Sequence, residues 1–157
     1  MRLWLALLWI AGAFPTGTIY AQTASGRPVT LAVHILVPCG PGAGQRVKVA
    51  GVAGSLCLDR TPFLTEQDVQ SAEIQVSSKG HPMVFLTFHN EAAVRELQVT
   101  QKNIGNRVAI LLDGKVVSTP AIAAASRLLY IDGNFTRPQA DQVVMSFNRY
   151  LAAQPAK

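Results

Sequence analysis

"NIGNRVAILLDGKVVSTPAI", residues 103–122, carries the densest local structure in the chain. Asn103 lies at the end of a helix, and Gly105 takes the C′ place where a left-handed residue stops one. "RVAILLD" then reads as a buried strand. Asp113-Gly114 is the strongest short hairpin signal a sequence offers, because a type I′ turn needs positive φ at both central residues. "KVVST" is the return strand. Pro120 opens either a short helix or a loop through "AIAAAS". A buried hairpin needs a sheet to join, and that requirement directs the reading outward.

On the N-terminal side, "VTLAVHILV" (29–37) is β-branched and partly alternating, a strand. "PCGPGAG" breaks it, "RVKVAGV" alternates weakly as an edge-like strand, and "GSLCLD" is a further short one. "TEQDVQSA" predicts a short helix with Thr65 as N-cap and Asp68 at the capping-box position. "EIQVSS" puts Ile74 and Val76 on one face of a strand. Lys79-Gly80 turns into "PMVFLTFH", apolar on both faces and so central in a sheet. Asn90 caps a helix running to about residue 104, with Glu91 set against its dipole and Ala93, Val94 and Leu97 as its inner stripe.

On the C-terminal side, "LLYI" is one more strand. Thr136 and Gln139 form a capping box, Phe135 can staple to Ala140, and Ala140, Val143, Val144, Phe147 and Leu151 keep helical spacing. The sum is an α+β domain, a largely antiparallel sheet with two principal helices packed on it. "AIAAAS" followed by "RLLY" is the candidate for exposed apolar surface; the alternative is an ordinary buried corner.

Of the 157 residues, 49% are apolar and 15% charged, which argues for a packed core. "MRLWLALLWIAGAF" has one basic residue and about a dozen apolar ones, short of the ~20 that span a bilayer. With Ile19 at −3 and Ala21 at −1, cleavage before Gln22 is expected. Residues 1–21 are read as a signal peptide, or, uncleaved, as an anchor. Residues 22–61 form N-terminal strands and a Gly-rich loop, and residues 62–153 complete one compact domain with 29–61. No later segment is apolar enough to cross a membrane, so an exported protein is expected. Loss of Arg2 takes the net charge from +5 to +4, scattered without a basic run, which argues against nucleic acid as a partner. In an oxidising compartment Cys39 and Cys57 are expected to pair. Two buried free thiols, or one reactive thiol, are the alternatives.

Chemistry is sparse. His34, His81 and His89 show no metal-ligand spacing. Asp113 and Asp132 each precede glycine, where turn chemistry explains them. "GPGAG" has neither the Lys-Ser/Thr of a phosphate loop nor its strand–helix context. "NFT" (134–136) matches a glycosylation sequon, and the helix cap accounts for its threonine. No catalytic, metal or cofactor set can be assembled. The members of a Ser-His-Asp triad meet only in space, and without a G-x-S-x-G elbow a hydrolase is the lower alternative.

From Pro62 to about Leu151 the pieces stand in a familiar order: Pro62, Leu64-Thr65 and Asp68; Gly80-His81-Pro82 with "VFLTF"; Thr100, Asn103-Ile104-Gly105 and "AILLDGKVVSTPAI" with its Pro120; then "IDGNFT" (Gly133, Phe135, Thr136) with Ala140. This order resembles the head of the first periplasmic domain of SecD, the accessory component of the bacterial Sec translocon. The matching residues are caps, turns and core. The resemblance implies that head's fold, a periplasmic location and contact with exported polypeptides or the translocon's periplasmic face. Glu96 departs from the pattern, standing where the family helix usually presents an apolar residue. "AAASRLLYIDG" lacks the glycines common before the final Ile-x-Gly. SecD's membrane spans, base subdomain and intramembrane charges have no counterpart in the sequence, so its proton-driven pulling is not carried over. The expectation is a non-enzymatic periplasmic binding module. The alternative is the same fold reused as a dedicated partner or inhibitor of another envelope protein.

Overall fold

Asp113 and Gly114 both take positive φ, 50° and 74°, and turn β7 (Val108–Leu112) back into β8 (Lys115–Ser118). The structure, a computed structural model, describes residues 28–41, 44–49 and 54–155. The expected signal peptide and the Ala21–Gln22 cleavage site lie outside these. All five residues of β7 are buried. Its other neighbour is β1 (Leu31–Val37), paired antiparallel from Leu31↔Leu112 to Ile35↔Val108. β2 (Arg46–Lys48) and β3 (Ser55–Leu58) extend the sheet to the order β2-β3-β1-β7-β8, and β4 (Leu64–Thr65) also pairs with β1.

A strand bordered on both edges and packed on both faces has no position left for a polar side chain, hence the unbroken run VAILL. Val108, Ile110 and Leu112 enter the main core with Leu31 and Val33. Ala109 and Leu111 join Leu58 in a smaller cluster on the opposite face.

β5 (Val69–Val76), β6 (Pro82–Phe88) and β9 (Leu129–Ile131) form a second antiparallel sheet with β6 in the middle. The single sheet of the sequence reading is therefore two. Helices α1 (Asn90–Lys102) and α2 (Arg137–Ala152) pack on β6, and α2 also on β5. Ala140 and Phe147 of α2 are fully buried in the main core, with Val143, Val144, Leu151 and Phe135 partly buried around them.

Four local expectations are corrected. The helix expected at "TEQDVQSA" is one 3-10 turn, Glu66–Asp68, after which Val69 is already extended. Val69 and Ala72 are buried in the core and Val69 pairs with Phe88, so strand pairing with β6 overrides a weak helical signal. Val76, at the end of that strand, is 61% exposed rather than sharing a buried face with Ile74. The N-cap of α1 is His89, whose carbonyl accepts the first helical hydrogen bond from Ala93; Asn90 is the first helical residue. The fully buried residues of α1 are Ala92, Glu96 and Thr100; of the expected stripe Ala93 is half-buried against the core, Leu97 is half-buried and Val94 is exposed. Glu96 and Thr100 are polar residues that the fold buries, so an apolar stripe does not mark this face.

Pro120 leads into a loop, not a helix. Gly105 has φ 88° but sits two residues beyond the Asn103 cap. Its N–H bonds the Ile122 carbonyl across to the loop instead of returning to the helix.

Candidate functional site

The loop that follows β8 is where apolar residues reach the surface together. Residues 119–128 are irregular and are held at their ends. The Ile122 N–H donates to the Asn106 carbonyl, the Gly105 N–H to the Ile122 carbonyl, and the Val108 N–H to the Pro120 carbonyl. Arg107 also forms an isolated bridge to Ala121. Farther along, the Thr100 hydroxyl accepts the Ser126 N–H at 3.0 Å and donates to the Glu96 carbonyl at 2.8 Å. Ser126 in turn turns the chain into β9, its hydroxyl bonding both the N–H and the carbonyl of Leu128. Tied at these points, the loop buries Ile122 and leaves Ala121, Ala123, Ala124 and Ala125 exposed.

Leu128 and Tyr130 continue the patch at 40% and 43% exposure, and Ile104 adjoins its start at 56%. Single exposed apolar residues are ordinary, whereas a continuous run of them is informative. Both readings of "AIAAAS" and "RLLY" hold in part: Ile122 and Leu129 form a buried corner, and the alanines with Leu128 and Tyr130 are exposed.

β9 alternates Leu129 and Ile131 inward with Tyr130 outward. Tyr130 stands opposite Phe85 on β6, the ring centroids 4.8 Å apart. Around that pair the outer face is polar: Ser71 and Thr87 share a hydrogen bond at 2.7 Å, and Gln75 donates to Glu73 at 3.2 Å. β9 ends the strand order of its sheet, so its second edge is unpaired among the described residues. The site is thus an apolar loop leading into β9, whose outer edge is unpaired among the described residues and whose Tyr130 packs on Phe85 of the neighbouring strand.

Glu96 lies one turn before Thr100 on the same helix face. It is 2% exposed and its Oε2 has no hydrogen-bond partner. Burial pushes its carboxyl from 4.5 up to about 7. The sequence marks this residue only as a departure from a pattern.

The remaining motif residues serve the fold. Cys39 and Cys57 are bonded, with Cα atoms 5.2 Å apart, pinning the chain just beyond β1 to β3. Asp68 accepts the Thr65 N–H at 2.8 Å and pairs with Arg95 at 2.6 Å. Asn103 donates to the Val99 carbonyl at 2.8 Å. Asp113 accepts the Thr30 N–H at 3.0 Å, tying the hairpin to the start of β1. The Thr136 N–H bonds Gln139 at 2.8 Å. A Cβ on Gly133 would stand 2.6 Å from the Phe135 ring, so that position is open to let the ring pack. Thr100, Asn103, Gly105 and Pro120 come together where α1 meets the loop; Thr65, Asp68, Asp113, Gly114, Gly133 and Thr136 do not join them.

His34 is buried, with Nδ1 2.9 Å from the Asp59 carbonyl, while His81 and His89 are exposed. Among the described residues no histidine ring bonds a serine hydroxyl or a carboxylate, no three metal-ligating side chains gather, and no helix is long and apolar enough to cross a membrane. A shallow depression of about 440 Å³ lined by Pro28, Arg149, Tyr150, Ala153 and Gln154 offers one charged group and no partner for it.

A family model described as the SecDF P1 head subdomain matches residues 45–149. Protein translocase subunit SecD of Aquifex aeolicus is 36% identical over 101 residues, 64% of this chain and 20% of that protein. SecDF of Thermus thermophilus is 44% identical over 64 residues, 41% of this chain and 9% of its own length. The chain therefore spans a fifth or less of these two relatives. A solved structure of SecDF in a super-membrane-facing form superposes with TM-score 0.63 at 26% identity, over 79% of this chain and 19% of that one.

Proposed function

The chain belongs to the SecDF P1 head subdomain family, and from that premise we propose that it is a non-enzymatic binding module of the periplasm that contacts exported polypeptides or the periplasmic face of the translocon. The observation that carries this reading is the exposure of Ala121, Ala123, Ala124, Ala125, Leu128 and Tyr130, interrupted by Ser126 and Arg127, beside the edge of β9 that is unpaired among the described residues. A segment still unfolded after export is extended and has unsatisfied backbone groups. A free strand edge meets that need without regard to sequence, and apolar surface beside it favours the apolar side chains such a segment exposes. The aromatic pair Phe85–Tyr130 adds a flat apolar element on the outer face of the same strands. The match to the P1 head family supports a periplasmic location, and the signal-like N-terminus read from the sequence agrees with it.

Photo-crosslinking in cells tests the reading. A photoreactive residue is placed at Ala124 or Tyr130 on the surface, or at exposed Gln142 on α2 or Lys79 away from the apolar run, and the products are identified by mass spectrometry. Many exported proteins, or translocon subunits, captured from Ala124 and Tyr130 in excess of the two controls are the expected result. A single discrete partner would mean that the fold serves as a dedicated partner or inhibitor of one envelope protein. Equal capture from all four positions would remove the surface assignment.

A further inference from the structure

One turn before Thr100, the residue of α1 that holds the proposed contact loop, stands a carboxyl group for which that contact has no use. Glu96 shares the buried face of α1 with Thr100, which holds the loop through the Ser126 N–H. Its Oε2 has no partner. A carboxylate in such a place is strongly disfavoured unless water or a cation reaches it, and burial raises its carboxyl to about 7.

Among the described residues no neighbouring charge relieves the burial. β6, against which α1 packs, carries no titratable side chain, and the loop carries only Arg127, which is exposed. β9 contributes Tyr130, turned to the outer face. On α1 itself Glu91, Arg95 and Lys102 are exposed, and Arg95 is occupied by Asp68 and the Phe63 carbonyl. The titratable groups of α2, Arg137, Asp141, Arg149 and Tyr150, are all partly or fully exposed.

If Glu96 ionises, water has to come in past one of the walls around it. β6 is bonded on both edges and α1 is a closed helix. The loop is irregular and rests on α1 through the Ser126–Thr100 bond and, at the end of the helix, the paired bonds of Ile122. Segments with few buried apolar contacts and solvent-exposed backbone hydrogen bonds open at the lowest cost.

We propose that Glu96 is a latch on this surface: neutral, it lets residues 119–128 close on α1, and ionised, it parts them from the helix and adds Ile122 to the apolar surface offered to a partner. The regulation rests on the reading of the loop as the contact surface, but it can be tested without any partner.

Amide hydrogen exchange, corrected for intrinsic rates, is followed from pH 5 to pH 8 on the full chain in low urea. Protection of the Ser126 amide is expected to fall about tenfold between pH 6 and pH 8, the linkage expected when a group near 7 in the closed state returns to its ordinary value in the open one. It is also expected to stay below that of Ile110 in β7 and to respond weakly to urea, as a local opening does. Glu96→Gln should abolish the pH dependence at Ser126, and Glu96→Leu provides a second non-titrating side chain should the Gln variant fold poorly.

A pH-independent wild-type profile overturns the latch, as does the same slope in a folded Glu96 variant. So does one common protection for Ser126 and Ile110, which would mean that Glu96 loosens the whole domain at once. Loss of the latch in this way leaves the crosslinking result untouched, and loss of the crosslinks leaves the exchange result untouched.

Discussion

At the scale of single residues, Glu96 and Gly133 show how much a position depends on what is packed against it. An unpaired buried carboxyl oxygen costs roughly 1–3 kcal/mol, while an apolar side chain of similar volume does not. Glu96→Leu is therefore expected to stabilise the protein by about that amount at pH 8, read from urea denaturation. The sign with pH follows from the raised value. Between 4.5 and about 7 the unfolded chain has released the Glu96 proton while the folded chain keeps it. Its contribution to wild-type stability is thus fully present below 4.5, is lost as pH rises through 7, and changes little above that. The Leu variant lacks this decline, so its advantage should shrink toward pH 5. A variant less stable than wild type at both pH values would show that Oε2 has a partner. Gly133 is the opposite case, a position kept empty. A methyl there would stand 2.6 Å from the Phe135 ring, so Gly133→Ala should cost about 1–3 kcal/mol by driving the ring off the core, visible as a lower Tm.

At the scale of elements, the hairpin and α1 differ in how locally they are specified. The turn at Asp113-Gly114 is encoded in two residues, and Asp113 adds a bond to the Thr30 N–H. Asp113→Ala places a side chain without that bond at φ 50° and should cost about 1–2 kcal/mol. A midpoint unchanged in urea would mean that the sheet, not the turn, holds the register. The cap of α2 is equally local, and Thr136 and Gln139 were readable as a pair because the motif spans four residues. The phase of α1 was not readable in the same way. Its buried face contains a glutamate and a threonine, and only the packing of that face on β6, with Ser126 bonded to Thr100, shows why they are inside. Val69–Ala72 had a helical cap before it and still became strand, because β6 was there to pair with it.

At the scale of the whole molecule, β1 and the disulfide bind the N-terminal residues to the rest. Leu31 and Val33 share one core with Ala140 and Phe147, and Cys39–Cys57 closes an 18-residue separation within the strands around β1. Replacing both cysteines with serine should lower stability by about 3 kcal/mol, seen as a lower urea midpoint, since the unfolded chain regains the freedom the bond removes. An unchanged midpoint would mean that the β1–β3 pairing already restrains that loop. By itself the sequence determined the antiparallel α+β class, the β7–β8 hairpin, the capped C-terminal helix and the order of motifs that marks the family. Each of those signals lies within a few residues and acts through backbone conformation or local hydrogen bonds. The tertiary structure alone decided that the strands divide into two sheets, that Glu96 is buried and that "AIAAAS" turns Ile122 inward and its alanines to the surface. Burial depends on which distant elements pack against a residue, and no local pattern carries that information.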